Sequence, residues 1–225
     1  MKIGIIGAGN MGRALGVRWA RAGHEVLFGS RNLSKARAIA AHGSPSTRSG
    51  DFDAAAAFGE VVLYTVRDVL PSSLLREPSL LSGKIVIDCN NGAIPGLDIR
   101  DPDYRHAAHF SSPLPSLAER LAADVPGARV VKAFNTVPAT VIEIARERLA
   151  PHRVSCFLSS DDANAKSVVK RLAEELGFVG IDSGGLEHVQ LVEAVADFIR
   201  FQILEMGLGS YATISVEILP LGEIR

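Results

Sequence analysis

The stretch Lys2-Ile-Gly-Ile-Ile-Gly-Ala-Gly-Asn-Met-Gly12 decides the fold of this 225-residue chain. Its apolar run from Lys2 to Gly7 lacks the alternation of a half-exposed strand, which predicts a strand buried on both faces. A glycine-rich turn leads into a predicted helix over Asn10–Ala22, and Glu25–Gly29 is a second apolar strand. The stretch therefore opens a βαβ unit, the setting in which a GxGxxG motif predicts dinucleotide binding.

The three glycines of this motif have separate predicted tasks. Gly7 makes the tight turn, Gly9 lets the backbone approach a pyrophosphate, and Gly12 lets the helix pack against the strand. The N-terminus of the helix offers free N–H groups and a partial positive charge to the phosphates.

The end of the second strand discriminates between the two nicotinamide cofactors. An NAD site usually has Asp or Glu there to bind the ribose 2′-hydroxyl, but this chain has Gly29, Ser30 and Arg31, with Lys35 one helical turn further on. A hydroxyl and two cations suit a 2′-phosphate. We therefore predict NADP(H), bound at this end by Ser30, Arg31 and Lys35.

Strand and helix patterns alternate along the rest of the chain. Further strands are predicted at Val61–Val66, Lys84–Cys89, Arg129–Phe134, Val154–Ser159 and Phe178–Asp182. Helices are predicted at Ser34–Ala41, Asp51–Phe58, Leu70–Leu75, Ser116–Ala123, Ala139–Leu149 and from Asp161, with an irregular stretch at Gly43–Gly50. The alternation predicts an α/β fold with a doubly wound, mainly parallel sheet, that is, a Rossmann NADP-binding domain over residues 1–150. Residues 151–225 are predicted to be a small C-terminal α/β segment packed on it.

The last forty residues are predicted to be helical. An apolar stripe there comprises Leu191, Val195, Phe198, Ile199 and Ile203. Such a stripe covers a core or forms the face of a homodimer.

Composition and charge exclude several classes of protein. The net charge of −1 provides no basic field for nucleic acid, and no apolar segment is long enough for a membrane span, so a cytoplasmic protein is expected. Cys89 and Cys156 lie in apolar strands and are expected to be buried thiols. His106 and His109 lack a third ligand, so no metal site is predicted, although both remain acid–base candidates.

Four segments resemble the coenzyme F420-dependent NADP oxidoreductases and the related STEAP-type reductase domains. They are the Gly7–Gly12 motif, Gly29-Ser-Arg-Asn32 with Lys35, Val130-Val-Lys-Ala-Phe-Asn-Thr136, and Gly207-Leu-Gly209. The resemblance implies hydride transfer between NADP(H) and a stacked acceptor such as F420, FMN or FAD. It also assigns the pyrophosphate to Asn10 and Met11, and the surroundings of the nicotinamide and acceptor to Thr65, Val66, Asn90, Phe134, Asn135 and Thr136.

Two departures from the family pattern concern the acceptor. The family usually has Val-Pro where this chain has Val66-Arg67, which adds a cation beside the cofactor crevice. It usually has Thr-Asn-Pro where this chain has Cys89-Asn90-Asn91-Gly92. Two alternatives stay open: an NADPH reductase of a small substrate such as an imine or quinone, and a non-catalytic NADP(H) sensor.

Overall fold

The computed structural model describes residues 1–91 and 116–219, and its main sheet has six parallel strands in the order β3-β2-β1-β4-β5-β6. The strands are β1 Lys2–Ile6, β2 Glu25–Gly29, β3 Arg48–Gly50, β4 Val61–Tyr64, β5 Ile85–Asp88 and β6 Arg129–Lys132. The strand order reverses beside β1, and ligands in such sheets bind in the crevice at the carboxyl ends of the strands. The predicted fold class is confirmed.

Helices cover both faces of this sheet. They are α1 Asn10–Arg21, α2 Leu33–Ala40, α3 Phe52–Phe58, α4 Pro71–Leu74, α5 Leu117–Asp124, α6 Ala139–Ile142, α7 Arg146–Leu149, α8 Ala163–Glu175 and α9 Val189–Leu204. Ile3 and Ile5 belong to one buried cluster and Ile6 to the other, as expected where successive strand residues face opposite sides. The central strand therefore has no polar face, which explains its unbroken apolar run.

Beyond residue 150 the chain forms a second, two-stranded parallel sheet of β7 Ser155–Leu158 and β8 Val179–Asp182, connected by α8. Lys132 and Ser159 exchange two backbone hydrogen bonds of 2.9 and 3.1 Å, which join the end of β6 to the end of β7. Trp19 in α1 donates its indole N–H to the carbonyl of Leu172 in α8 at 3.2 Å. One hydrophobic cluster contains residues from both sides of position 150, and the domain boundary there stays a prediction.

The prediction for Gly43–Gly50 was wrong in part. Arg48–Gly50 forms β3 at the edge of the sheet and pairs with Leu27–Gly29 of β2. Three residues of polar and glycine character carry no strand pattern of their own, so the pairing depends on the neighbouring strand.

The single helix predicted over Ala139–Leu149 was also wrong. The structure has two short helices, α6 and α7, and the chain is extended at Ala145 between them (φ −59°, ψ 145°). Thr140, Val141 and Ile142 are β-branched, which lowers helix propensity, and Ile142 is fully buried against the core.

The helical prediction for the last forty residues holds only to Leu204. Gly207 and Gly209 have φ of 70° and 81°, a conformation that an α-helix does not contain. The chain beyond them runs beside β7, where the Ser155 N–H donates to the carbonyl of Ile214 at 3.0 Å. Within the described ranges, no helix is long and apolar enough to cross a membrane.

The buried face of α9 also differs from the predicted stripe. Ile199 is buried, but Leu191 and Phe198 are 61% and 55% exposed. Val192 and Glu193 take the inward positions instead. The exposed face continues through Phe201 and Leu204.

Candidate functional site

The glycine loop, Gly7–Gly12, connects β1 to α1 and has little space for side chains at two of its glycines. Gly7 has φ of 116°, and a Cβ atom there would lie 2.3 Å from Oγ1 of Thr65. A Cβ on Gly12 would lie 2.1 Å from the Gly7 carbonyl oxygen. At Gly9, in contrast, a Cβ would meet no atom of the described residues within 4 Å. The loop is therefore packed tightly on the protein side and open where Gly9 faces outward.

The first turn of α1 is suited to an anion. Gly9 is its N-cap residue, no side chain caps it, and its first turn contains no acidic residue. Its leading N–H groups and the helix dipole thus act together beside the open space at Gly9.

A cavity of about 530 Å³ adjoins this loop. Its walls come from the glycine loop, the segments that follow β4, β5 and β6, and α9. The residues that line it are Gly9, Asn10, Met11, Thr65, Arg67, Cys89, Asn90, Asn91, Asn135, Thr136, Val137, Pro138, Ala139, Ala196, Ile199, Arg200 and Ile203. The cavity therefore lies in the crevice beyond the carboxyl ends of the strands, as expected for this topology.

The structure brings eight of the fifteen predicted cofactor residues to this cavity. They are Gly9, Asn10, Met11, Thr65, Arg67, Asn90, Asn135 and Thr136. Gly7 and Gly12, the two ends of the loop, pack inward and do not line the cavity. Val66 packs against the core cluster on the other face of the sheet. Ser30, Arg31 and Lys35 lie apart from the cavity, at the end of β2 and the start of α2.

The Phe134 side chain does not line the cavity, contrary to the position expected of it. It is fully buried and makes edge-on contacts with Trp19 and Phe178, at centroid distances of 5.7 and 6.1 Å. Its backbone has φ of 63°, which is uncommon for a non-glycine residue. This turn ends the strand, and the next two residues line the cavity.

Asn135 and Thr136, which line the cavity, each have a buried polar atom without a partner among the described residues. Both residues are only 6% exposed, and Asn135 Oδ1 and Thr136 Oγ1 lack a hydrogen bond within the described part of the chain. The amide Nδ2 of Asn135 donates to Oδ1 of Asn91 at 3.0 Å, which leaves its oxygen as the open position. A buried polar atom without a partner costs about 1–3 kcal/mol, so these two atoms mark places for a ligand's polar groups.

The basic residues at the end of β2 are exposed. Ser30 is mostly buried, and its Oγ accepts the Asn32 N–H at 3.1 Å. Asn32 in turn caps α2 by accepting the Lys35 N–H at 3.0 Å. Arg31 and Lys35 are solvent-exposed, and neither side chain forms an ion pair with another described residue. This corner is a cationic surface, and no carboxylate of the described residues neutralises it.

A buried charge cluster formed by Asp88, Lys132 and Glu193 escaped the sequence reasoning. Nζ of Lys132 lies 2.9 Å from Asp88 Oδ2, 2.6 Å from Glu193 Oε1 and 2.5 Å from the carbonyl oxygen of Asn90. All three residues are almost completely buried. Part of the cluster could have been predicted, because Asp88 and Lys132 end apolar strands and buried charges there require partners. Glu193, 61 residues after Lys132, gave no such clue.

This buried charge cluster joins α9 to the ends of β5 and β6. Burial alone would lower the pKa of Lys132, but attraction to Asp88 and Glu193 outweighs it, so that pKa is raised and the ammonium stays charged. Burial raises the pKa of Glu193 despite the lysine beside it. The two carboxylates share one cation, and Asp88 also accepts two hydrogen bonds from Asn90, so Glu193 is the less stabilised anion.

The two cysteines are buried free thiols, as predicted. Burial raises the pKa of Cys89, at the cavity, and of Cys156 to about 12, so neither is a thiolate near neutral pH. Within residues 1–91 and 116–219, no cluster of three or more His, Cys, Asp or Glu is arranged to hold a metal ion. His106 and His109 lie outside the described residues.

Comparison with known proteins identifies the family of this chain. The family model described as "NADP oxidoreductase coenzyme F420-dependent" matches residues 2–92. The F420-dependent NADP reductase of Methanothermobacter thermautotrophicus is 31% identical over 210 residues, which cover 87% of this chain and 86% of that protein. The metalloreductase STEAP3 of Rattus norvegicus is 31% identical over 195 residues. This chain spans only 36% of the length of STEAP3.

Solved structures show the same fold. A proposed F420-dependent NADP reductase from Arthrobacter sp. FB24 superposes with a TM-score of 0.75 at 25% identity, covering 97% of this chain and 100% of that structure. An imine reductase from Myxococcus stipitatus superposes with a TM-score of 0.60 at 17% identity, covering 92% of this chain and 63% of that structure. The second likeness concerns the fold alone.

Proposed function

The chain belongs to the coenzyme F420-dependent NADP oxidoreductase family and is an NADP-dependent oxidoreductase, and we propose that it transfers a hydride between NADPH and a flat acceptor of the deazaflavin or flavin type. When bound, NADPH would supply the hydride from C4 of its nicotinamide to C5 of a deazaflavin or N5 of a flavin, and solvent would supply the one proton that completes the reduction. The cofactors carry this chemistry. The protein contributes orientation and the exclusion of water.

The observation that carries the proposal is the cavity between the glycine loop and α9, whose wall contains two buried polar atoms that have no partner among the described residues. The pyrophosphate would bind at the N-terminus of α1, over the open side of Gly9. The nicotinamide would then extend along the strand ends toward Asn135 and Thr136. Asn135 Oδ1 would accept a hydrogen bond from the carboxamide, and Thr136 Oγ1 would supply a second polar contact.

The other end of the cofactor would extend to the cationic corner at the end of β2. Arg31 would form a bidentate contact with the 2′-phosphate, supported by Lys35 and by the Ser30 hydroxyl. The first acidic residue after Arg31 in the sequence, Asp51, pairs with Arg76 at 2.6 Å and is thereby neutralised. This corner would therefore favour NADPH over NADH.

Two measurements test the proposal. NADPH oxidation with F420, FMN and FAD should reveal turnover with at least one of these acceptors. Turnover only with imines or quinones, or NADPH binding without any turnover, would support the reductase and sensor alternatives instead.

The preference for NADPH over NADH is tested by a substitution at Arg31. Arg31→Asp should lower the preference for NADPH over NADH by at least tenfold, about 1.4 kcal/mol, because a carboxylate repels the 2′-phosphate. Arg37→Asp is the matched control, since it makes the same charge change two residues beyond Lys35, in the last turn of α2. An unchanged preference in Arg31→Asp would refute the 2′-phosphate site.

The exposed apolar face of α9 supports a homodimer. Leu191, Phe198, Phe201 and Leu204 lie at i, i+7, i+10 and i+13 and are each at least 45% exposed. Such stripes usually meet a partner. The mass in solution should be that of two chains and should fall to one chain in Phe198→Asp, whereas a monomeric wild type would contradict the proposal. The cytoplasmic location and the absence of nucleic-acid binding stay predictions.

A further inference from the structure

Asn91, on the segment that follows β5, forms a reciprocal pair of hydrogen bonds with Asn135, on the segment that follows β6. Nδ2 of Asn91 donates to the backbone carbonyl of Asn135 at 2.8 Å, and Oδ1 of Asn91 accepts a hydrogen bond from Nδ2 of Asn135 at 3.0 Å. The same Nδ2 of Asn135 also donates to the carbonyl oxygen of Val192 in α9 at 3.3 Å. The pair therefore joins the ends of two neighbouring strands and connects them to α9.

Two backbone carbonyls fix the orientation of both side-chain amides. A carbonyl oxygen only accepts hydrogen bonds, so Asn91 must turn its Nδ2 toward the Asn135 carbonyl, and its Oδ1 is then the atom that meets the Asn135 side chain. Asn135 must in turn direct its Nδ2 toward that Oδ1 and toward the Val192 carbonyl. A reversed Asn135 amide would place its oxygen against two other oxygen atoms. The network therefore allows one orientation for each amide.

This orientation leaves Asn135 Oδ1 as the atom that a ligand can use. The atom is buried and has no partner among the described residues, and Asn135 lines the cavity. An amide oxygen accepts hydrogen bonds but cannot donate them, so it favours a ligand that presents an N–H group and rejects one that presents a methyl group or a carbonyl. Asn91 also lines the cavity, but both polar atoms of its side chain bond to Asn135.

We propose that Asn91 is a positioning residue, which holds the Asn135 amide so that its oxygen selects the amino group of the nicotinamide carboxamide. The proposal rests on the proposed function, because that function brings the nicotinamide to Asn135. In the carboxamide, the amino group is the hydrogen-bond donor and the carbonyl oxygen only accepts. A fixed acceptor in the wall therefore determines which side of the carboxamide meets it, and this contact orients the ring that carries the hydride.

A dinucleotide that lacks this amino group tests the proposal by binding alone. In the acetylpyridine analogue of NADP⁺, a methyl group replaces the amino group and the carbonyl is kept. Isothermal titration calorimetry should show that the analogue binds the wild type about tenfold more weakly than NADP⁺, because it leaves Asn135 Oδ1 without a partner. In Asn91→Ala the Asn135 side chain is held by the Val192 carbonyl alone, and the ratio of the two Kd values should fall to about threefold or less.

A second variant and a second ligand separate positioning from folding. Asn91→Asp keeps an acceptor for Asn135 Nδ2 but, when ionised, cannot donate to the Asn135 carbonyl, so its ratio should lie between those of the wild type and Asn91→Ala. The fragment 2′-phospho-ADP-ribose lacks the nicotinamide, and its affinity should change by less than about twofold in Asn91→Ala. Asn164→Ala is the matched control, since it removes an exposed asparagine in the first turn of α8, and it should leave the ratio unchanged.

The outcomes separate this proposal from the proposed function. Equal binding of NADP⁺ and the analogue to the wild type would overturn the positioning role, as would an Asn91→Ala variant that keeps the wild-type ratio. An equal loss of affinity for the fragment and for both dinucleotides would also overturn it, because Asn91 would then support the fold alone. The expected ratios in a protein that reduces no flavin or deazaflavin would support the positioning role and refute the proposed acceptor. Melting temperatures show whether each variant is folded.

Discussion

The wall of the cavity formed by the glycine loop is held by backbone packing, whereas the wall formed by α9 is held by buried charge. In the loop, Gly7 and Gly12 leave no room for a Cβ atom, and the contacts lie within the first βα unit and beside Thr65. At α9, Lys132 connects Asp88 to Glu193 across 44 and 61 residues of sequence.

The two walls should therefore be disrupted by different kinds of substitution. The glycine loop is disrupted when an added side chain overlaps the packed backbone, and this disturbance is local. The α9 wall is disrupted when one buried charge is left without a partner. The resulting loss of stability affects all the elements that the charges connect, which are α9, β5 and β6. The nucleotide side of the site should therefore respond to small changes in shape, and the acceptor side to small changes in charge.

The largest effect is expected from breaking the α9 wall at its cation. Lys132→Met leaves Asp88 and Glu193 buried without a counter-charge and should lower the free energy of unfolding by about 3–5 kcal/mol. This is a large share of the roughly 5–15 kcal/mol that stabilises a typical domain. Urea unfolding measures it.

A matched lysine provides the control for this variant. Lys170 is half-exposed on α8, with Nζ 3.8 Å from Oε1 of Glu174, and Lys170→Met should change stability by less than about 0.5 kcal/mol. Two variants of equal stability would mean that the buried cluster contributes nothing net. In Lys132→Met, the affinity for the acceptor should also fall more than the affinity for NADPH.

The next largest effect is expected in the glycine loop, where alanine at Gly12 and alanine at Gly9 should have different consequences. Gly12→Ala brings a methyl group within 2.1 Å of the Gly7 carbonyl and should destabilise the fold by about 1–3 kcal/mol. In Gly9→Ala the new methyl group meets no atom of the described residues within 4 Å, so the stability of this variant should be unchanged while its NADPH binding weakens about tenfold. Thermal unfolding and NADPH titration of both variants distinguish the roles. Equal destabilisation by both would show that Gly9 is structural.

The backbone wall could be predicted from sequence because its causes are local. The glycine spacing, the apolar run before it and the missing carboxylate after β2 all lie within 35 residues. The strand alternation beyond them predicted the parallel sheet, since right-handed crossovers allow few other arrangements.

The remaining features depend on partners distant in sequence. Arg48–Gly50 is a strand only because β2 lies beside it, and α6 is separated from α7 by an extended residue at Ala145. Phe134 was expected at the cofactor because the resemblance identified its segment, but a positive φ sends its ring into the core. Glu193 could not be found, because one glutamate on an apolar helix does not identify its lysine.

The smallest effect concerns the protonation of Glu193. Its pKa is raised in the folded state by burial, above an unfolded value of about 4.3. Below the unfolded value it is protonated in both states, and the stability it provides is fully present. As the pH rises toward the folded pKa, the unfolded state ionises first and that stability is lost, with a slope of at most about 1.4 kcal/mol per pH unit for one proton.

Glu193→Gln isolates this proton, because glutamine keeps an oxygen acceptor for Lys132 and cannot ionise. The free energy of unfolding of the wild type minus that of the variant should decrease as the pH rises above about 4.3, whereas Glu174→Gln on the surface of α8 should give a nearly flat difference. Urea unfolding at several pH values measures both differences. A Glu193→Gln difference that is flat or increases with pH would mean that Lys132 fully compensates the burial of Glu193. The acceptor wall would then be anchored by a balanced ion pair, and its response to charge would reside in Asp88 instead.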